Sequence, residues 1–152
     1  MPYPINIAGA EDPPFITSTG EKFYFFFTPD PSVPAELQIV DGVTGIWYSK
    51  KTGGEWGEVK SVVLIEEGLS LDGCQWVGDG EILFCSVRVG NLREVDLWMA
   101  DIQDGEASNI RHGGERLNVE VGIGEFHVTA NGREIYFHSA RTCRRILLRI
   151  CL

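Results

Sequence analysis

Strand-like segments rich in apolar and aromatic residues recur along the chain, and each pairs with a second such segment across a short polar turn. These segments span residues 11–27, 71–86 and 124–139, and their turns contain Gly20, Gly80 and Gly132. The second and third turns are Asp-Gly and Asn-Gly, which favour tight hairpins because both residues tolerate positive φ. The pattern therefore predicts three β-hairpins, at intervals of 60 and 52 residues.

The chain after each of the first two hairpins also repeats. Residues 45–49 (Gly-Ile-Trp-Tyr-Ser) match residues 96–100 (Asp-Leu-Trp-Met-Ala), and a Gly-Glu turn and another strand-like segment follow each. We expect an all-β fold of stacked, four-stranded antiparallel meanders, which needs no helices. The period is typical of propeller blades. One domain is predicted, with unit 1 at about residues 9–66, unit 2 at about 69–118 and a partial unit 3 at about 119–152.

The repeat resembles that of TolB-type β-propellers. The motifs that carry the resemblance are Phe-x-Ser-x-Arg at residues 84–88 and 137–141, and Gly-Glu-Trp at residues 54–56. The resemblance covers about residues 9–145 and implies a partial β-propeller. Propellers of this family have five to eight blades, whereas this chain has two complete units and one partial unit. It implies little about function, because propellers support many unrelated activities.

An incomplete ring should leave blade faces uncovered. Residues 23–27 (Phe-Tyr-Phe-Phe-Phe) are apolar on both faces of their strand, as expected of a blade with two neighbours. The terminal units are then expected to expose apolar surface, which few monomers tolerate. Residues 3–7 are one remedy, as an outer strand for unit 3. Pairing of two chains is the other, and we favour a homodimer.

The third hairpin differs from the others because one of its faces is polar. A turn centred on Asn131-Gly132 places Val128 opposite Ile135 and Phe126 opposite Phe137 on the apolar face. The other face carries two opposed polar pairs, which are Glu125 with His138 and His127 with Tyr136. We interpret these four residues and the nearby Arg141 as candidate ligand-binding residues. Glu125, His127 and His138 are candidate metal ligands, and a polar interface to a neighbouring blade is the structural alternative.

Acidic residues begin the first strand of each unit. Asp12, Asp72 and Glu125 occupy nearly matching positions, with Glu125 shifted by one. In a propeller these strands line the central channel, and a pair of carboxylates there is the arrangement that glycosidases use as acid and base. These residues are therefore candidate catalytic groups. The structural alternative is that an acidic residue before a strand caps a turn.

Two further features concern single pairs of residues. In the register set by Asp79-Gly80, Cys74 lies opposite Cys85, and the pair is either a disulfide or two reduced, small core residues. Ser86 and Arg88 belong to the repeated Ser-x-Arg motif, which favours a structural role. Arg88 is expected to bond loop carbonyls or the Asp of a neighbouring unit.

Composition and charge narrow the function classes. The net charge of −9 argues against nucleic acid as a partner, because phosphate binding needs a basic surface. No apolar run is long enough to cross a bilayer, and the N-terminus has no secretory signal pattern, so a cytoplasmic location is predicted. No motif for a cofactor is visible, and the four cysteines lack zinc-ligand spacing.

Three functions are compatible with these features. The favoured function is non-catalytic binding of a protein or glycan through a propeller-like surface centred on unit 3. A glycosidase-like enzyme that uses Asp12, Asp72 and Glu125 is the alternative. The third possibility is a truncated propeller with no selected ligand.

Overall fold

Two four-stranded antiparallel sheets and a shorter hairpin form the fold. The structure is a computed structural model that describes residues 5–64, 68–121, 125–129 and 134–138. Unit 1 consists of β1 (Ala10–Ile16), β2 (Lys22–Thr28), β3 (Gly45–Thr52) and β4 (Glu55–Ser61). Unit 2 consists of β5 (Leu71–Gly78), β6 (Glu81–Val87), β7 (Asp96–Gln103) and β8 (Glu106–His112). The hairpin of β9 (Phe126–Val128) and β10 (Ile135–Phe137) is the described part of unit 3. The predicted all-β fold of stacked antiparallel meanders is confirmed.

Short helical segments interrupt two of the connections. Helix α1 (Ala35–Gln38) joins β2 to β3, and a π-helical turn (Arg116–Val121) follows β8. Pro34 precedes α1 with a φ of −57°, a value suited to a helix start. The expectation that no helices occur is therefore wrong at these two places. No helix in the described part of the chain is long and apolar enough to span a membrane.

Tight Asp-Gly turns set the register of unit 2. Asp79 and Gly80 have φ values of 52° and 81°, and Asp104 and Gly105 have values of 52° and 89°. Two successive positive φ values define the type I′ turn, whose twist matches that of the flanking strands. The Asp79-Gly80 turn places Val77 opposite Ile82.

The two complete units share strand order, register and irregularities. Trp47 lies opposite Phe25 in unit 1, and Trp98 lies opposite Phe84 in unit 2. The first strand of each unit has a β-bulge at the same place, between Asp12 and Phe15 in β1 and between Gly73 and Trp76 in β5. The predicted match between residues 45–49 and 96–100 is thus confirmed by equivalent cross-strand partners.

Unit 2 is packed between unit 1 and the hairpin of unit 3. A core cluster between units 1 and 2 contains the stacked rings of Tyr24 and Tyr48, with Ile82 and Phe84 from β6. A second cluster lies on the other face of unit 2, and its members are Trp76, Leu83, Leu97, Val128 and Ile135. Both faces of unit 2 are therefore apolar and covered, as predicted for a blade with two neighbours.

The outer face of unit 1 is buried within the same chain. Phe23, Phe25 and Phe27 are only 4%, 2% and 5% exposed, and Ile5 and Trp56 belong to the cluster that they form. The expectation that this terminal unit exposes an apolar face is therefore wrong. Because this face is buried, it gives no argument for a dimer. The homodimer stays a prediction.

The N-terminal segment does not form the strand expected of it. Residues 5–9 lie in no strand, and Ile5 is 3% exposed against the outer face of unit 1 rather than against unit 3. Residues 3 and 4 lie outside the described residues. The hypothesis that residues 3–7 complete unit 3 is thus wrong for its described part, because the aromatic face of unit 1 binds Ile5 instead.

Candidate functional site

The polar face of unit 3 forms in the predicted register. His127 lies opposite Tyr136, Phe126 lies opposite Phe137, and the His138 amide donates a 2.8 Å hydrogen bond to the Glu125 carbonyl. The reverse face of the hairpin is buried, because Val128 and Ile135 are 1% and 3% exposed in the cluster against unit 2. The side chains of the polar face therefore point away from the core.

The Thr129 side chain supports the pairing of the two strands of this hairpin. The Thr129 amide donates to the Glu134 carbonyl, and the Glu134 amide donates to the Thr129 hydroxyl. Thr17 makes the same pair of contacts with Lys22 at the first hairpin. The threonine in Ile-Thr-Ser-Thr-Gly and the threonine in Val-Thr-Ala-Asn-Gly thus make the same pair of hydrogen bonds across their hairpins.

All four side chains of this polar face are exposed. Glu125, His127 and His138 are exposed, and Tyr136 is 44% exposed, with its hydroxyl 3.1 Å from a Glu134 carboxylate oxygen. Within the described ranges, no three His, Cys, Asp or Glu side chains group closely enough to hold a metal ion. The three candidate ligands Glu125, His127 and His138 do not form such a group, although all three lie within those ranges.

Arg141 belongs to the same predicted binding surface, but it lies outside the described residues. The same applies to the second Ser-x-Arg motif at residues 139–141. The candidate surface is therefore defined here by Glu125, His127, Tyr136 and His138. We call these four residues the unit 3 polar face.

The first strands bring two of the three candidate acids to one place. β5 contacts both β1 and β9, so the first strands of the three units are neighbours. The carboxylates of Glu125 and Asp12 both act electrostatically on the Cys74 thiol in β5. Convergence of acids along the first strands is thus observed for Asp12 and Glu125.

Asp72 is instead committed to an ion pair. Its Oδ1 lies 2.7 Å from the Arg88 guanidinium, and the Ser70 hydroxyl donates a 2.8 Å hydrogen bond to its Oδ2. Register explains this difference, because Asp72 pairs with Ser86, so that Gly73 holds the position equivalent to Asp12. Both oxygens of Asp72 already have partners, which leaves this carboxylate poorly suited to act as an acid, a base or a nucleophile.

Arg88 has the structural role predicted from the repeated motif. Its guanidinium donates to the Leu64 carbonyl at 3.1 Å and to the Ser86 hydroxyl at 2.7 Å, and its charge lies 5.1 Å from the Phe84 ring. The carbonyl partner matches the prediction. The acidic partner, Asp72, belongs to the same unit rather than to a neighbouring one, because the Ser-x-Arg segment follows the strand paired with β5.

The two cysteines of unit 2 are close together, but not in the predicted register. Cys85 lies opposite Gly73, and Cys74 is an additional residue in the bulge of β5, with a φ of 51°. The predicted direct pairing of Cys74 with Cys85 is therefore wrong by one position. The structure holds both residues as free cysteines, with a hydrogen bond between their thiols.

A buried polar cluster in unit 2 was not predicted. The Asp96 side chain is fully buried, and one of its oxygens lies 2.9 Å from His112 Nε2. Asn118, from the π-helical turn, accepts a 2.7 Å hydrogen bond from the Leu97 amide and donates to the Leu97 carbonyl. The Gly114 amide donates to His112 Nδ1, so the imidazole proton is on Nε2 and points to Asp96.

The sequence could have indicated this cluster, because two of its residues depart from the repeat. Asp96 and His112 occupy the positions of Gly45 and Ser61 in unit 1, so unit 2 has polar groups where unit 1 has small residues. The hydrogen bonds of Asn118 to β7 attach the connection after β8 to the sheet. This arrangement positions the segment that leads to unit 3.

An open cleft of about 280 Å³ lies beside the first part of unit 2. It is lined by Thr44 and Trp47 at the start of β3, by Leu64 and Ser70 from the connection between β4 and β5, and by Asp72 at the start of β5. The Trp47 indole donates to the Val43 carbonyl at 2.9 Å, which fixes the ring at the cleft. Sequence reasoning gave no indication of this cleft, because its walls come from two units.

Comparisons with known proteins identify no family. No protein-family model, curated protein or solved structure matches the chain. Its function must therefore be inferred from its own geometry. The most distinctive group of exposed polar side chains on one rigid element is the unit 3 polar face, which offers a carboxylate, two imidazoles and a phenol for hydrogen bonding.

Proposed function

We propose that the chain is a non-catalytic binding module of the β-propeller type that binds a glycan through the unit 3 polar face. One observation carries the proposal. The hairpin is anchored through the buried residues Val128 and Ile135, while four polar side chains on its other face are exposed side by side. A rigid support with exposed hydrogen-bonding groups is suited to recognition.

The chemistry of this face favours a glycan over a protein. Sugars present hydroxyl groups, for which carboxylate and imidazole groups are good hydrogen-bond partners, and an apolar ring face that stacks on an aromatic side chain. Tyr136 supplies the aromatic ring, and it is directly paired with His127. Protein interfaces usually have a buried apolar centre, and this face contains no aliphatic residue.

We also propose that units 1, 2 and 3 are consecutive blades of a TolB-type propeller. The equivalent registers and bulges of units 1 and 2, and the packing of unit 2 between its two neighbours, support this interpretation. We further propose a homodimer, in which a second copy of the chain pairs with the first by two-fold symmetry and leaves the unit 3 polar face accessible. We also propose the cytoplasmic location that the N-terminal sequence predicts. Cell fractionation tests this location.

A glycan array of the purified chain tests the binding function. We expect binding to a restricted set of glycans, weakened about tenfold or more by Tyr136→Ala because the stacking surface is lost. His127→Ala should also weaken binding, whereas Tyr136→Phe, which keeps the ring, should have the smaller effect. Lys60→Ala on the exposed surface of β4 is the matched control and should bind as the wild type does.

Other results would contradict the proposal in different ways. Equal binding by the wild type and both alanine variants would show that the ligand lies elsewhere. Binding to no glycan would refute the glycan proposal and favour a protein ligand or a chain without a selected ligand. Hydrolysis of aryl glycosides that Glu125→Gln abolishes would establish the enzyme alternative instead.

The homodimer has its own measurement. Light scattering at micromolar concentration should give twice the mass of the 16.9 kDa chain. A purely monomeric mass would rule out the homodimer. Glycan binding by a monomer would leave the function of the unit 3 polar face intact, so the two proposals fail independently.

A further inference from the structure

Cys74 has an unusual backbone conformation for a residue with a side chain. It is the additional residue in the bulge of β5, and its φ of 51° lies in the left-handed region. This conformation is costly for residues other than glycine, asparagine and aspartate, and it often occurs at functional sites. Here it directs the Cys74 thiol to the thiol of Cys85, although Gly73 is the residue opposite Cys85.

The two thiols are unequal. Cys74 is half-buried, whereas Cys85 is 5% exposed. A hydrogen bond from Cys85 lowers the pKa of the Cys74 thiol, against the opposing effects of burial and of the Glu125 and Asp12 carboxylates. The same hydrogen bond, with burial, raises the pKa of Cys85. Cys74 is therefore the more accessible thiol, and its thiolate is the one that the hydrogen bond stabilises.

Two carboxylates lie near Cys74. Asp12 from β1 and Glu125, directly before β9, are both exposed, and both act on Cys74 electrostatically. A reagent that approaches Cys74 therefore passes through a negative field made by two different units. Such a field attracts cationic molecules and repels anionic ones.

We propose that Cys74 and Cys85 form a reversible dithiol–disulfide site that reacts with small cationic or neutral disulfides. The hydrogen bond between the thiols holds the two sulfurs in contact, so that a small movement of the two sulfurs towards each other is enough to form the disulfide. The positive φ of Cys74 and the position of the pair where three first strands meet support a role beyond core packing.

The small disulfide is the oxidant in this exchange. The Cys74 thiolate attacks one sulfur of R–S–S–R, which forms a mixed disulfide with Cys74 and releases one thiolate that takes up a proton as RSH. The Cys85 thiol then loses its proton and attacks the Cys74 sulfur, which releases a second RSH. The two protein thiols are oxidised by two electrons, and R–S–S–R is reduced to two RSH.

Peptide mapping by mass spectrometry tests the reaction. The full chain is incubated with cystamine, remaining thiols are blocked with N-ethylmaleimide, and each cysteine is assigned. We expect a Cys74–Cys85 disulfide that dithiothreitol reverses. In Cys85→Ser the reaction should stop at a cystamine adduct on Cys74, whereas Cys74→Ser should leave Cys85 unmodified. Absence of the disulfide in the wild type, or an adduct on Cys74 that never closes, would overturn the proposal.

Reagent charge tests the role of the carboxylates. At low ionic strength we expect Cys74 to react roughly tenfold faster with cationic cystamine than with anionic oxidised glutathione, with neutral hydroxyethyl disulfide between them. In Asp12→Asn/Glu125→Gln the ratio of the cystamine rate to the glutathione rate should fall severalfold. A ratio that is unchanged in this variant would refute selection by these acids.

Discussion

Removal of the Arg88 side chain should destabilise the fold strongly, because it leaves a carboxylate unpaired inside the protein. In the native state the Arg88 and Asp72 side chains are only 8% and 11% exposed, and their charged atoms lie 2.7 Å apart. Arg88→Ala also removes hydrogen bonds to the Leu64 carbonyl and the Ser86 hydroxyl. Loss of one partner of a buried ion pair costs about 3–5 kcal/mol.

Urea unfolding monitored by circular dichroism measures this loss. A cost of about 3–5 kcal/mol is a large part of the stability of about 5–15 kcal/mol that is usual for a domain. At this chain length it also lowers the melting temperature by about 6–20 °C. Asp72→Leu/Arg88→Met removes both charges and should recover most of the stability, because no ion is left unpaired.

The exposed ion pairs of Asp104 provide the contrast for this experiment. Asp104 contacts Lys22 and Lys50, and its side chain is 63% exposed. Asp104→Asn should therefore change stability far less than Arg88→Ala, since solvent screens these charges. A loss below about 1 kcal/mol for Arg88→Ala, or a double variant as unstable as the single one, would refute the argument from burial.

Three further changes test other parts of the fold. Gly105→Ala should cost about 3 kcal/mol, because φ at this position is 89° and the new methyl group would collide with the Tyr48 ring; an unchanged urea midpoint would contradict this. Asn118→Ala should also cost about 3 kcal/mol, because the Leu97 amide and carbonyl lose buried partners, and faster hydrogen exchange at the Leu97 amide is the diagnostic result. Burial, with the nearby Tyr48 and Asp104, raises the pKa of Tyr24 to about 12 from a usual 10.0. The stability of the fold should therefore fall as the pH rises from about 10 to about 12. Tyrosinate absorbance that titrates normally for every tyrosine in the folded chain would refute the raised pKa.

Turn chemistry and strand alternation were sufficient to predict much of the fold. The Asp79-Gly80 turn permits one tight connection, and that connection fixes which residues of β5 and β6 begin the ladder. Alternation predicted the polar face of unit 3, because a slip by one residue would bury His127 and expose Val128. These local rules succeed where a single turn determines the register of a short hairpin.

Bulges are the features that local patterns could not predict. The side-chain amide of Gln75, in the bulge of β5, donates a 2.7 Å hydrogen bond to the carbonyl of Pro13, in the bulge of β1. Each bulge therefore has a contact with the other unit, and no pattern within one strand indicates such a contact. This explains why Cys74 was assigned to the position opposite Cys85 that Gly73 occupies.

Two sets of equivalent positions that differ among the units lie where their first strands meet. Phe26, Cys85 and His138 are equivalent by register, as are Asp12, Gly73 and Glu125, which lie opposite them. Stacking requires apolar residues between units, and there the units agree. At the first strands this requirement is weaker, because β1, β5 and β9 are neighbours but the acids Asp12 and Glu125 remain exposed. Units 2 and 3 have a thiol and an imidazole where unit 1 has a phenylalanine, which is why a functional surface is expected here rather than at the fourth strands.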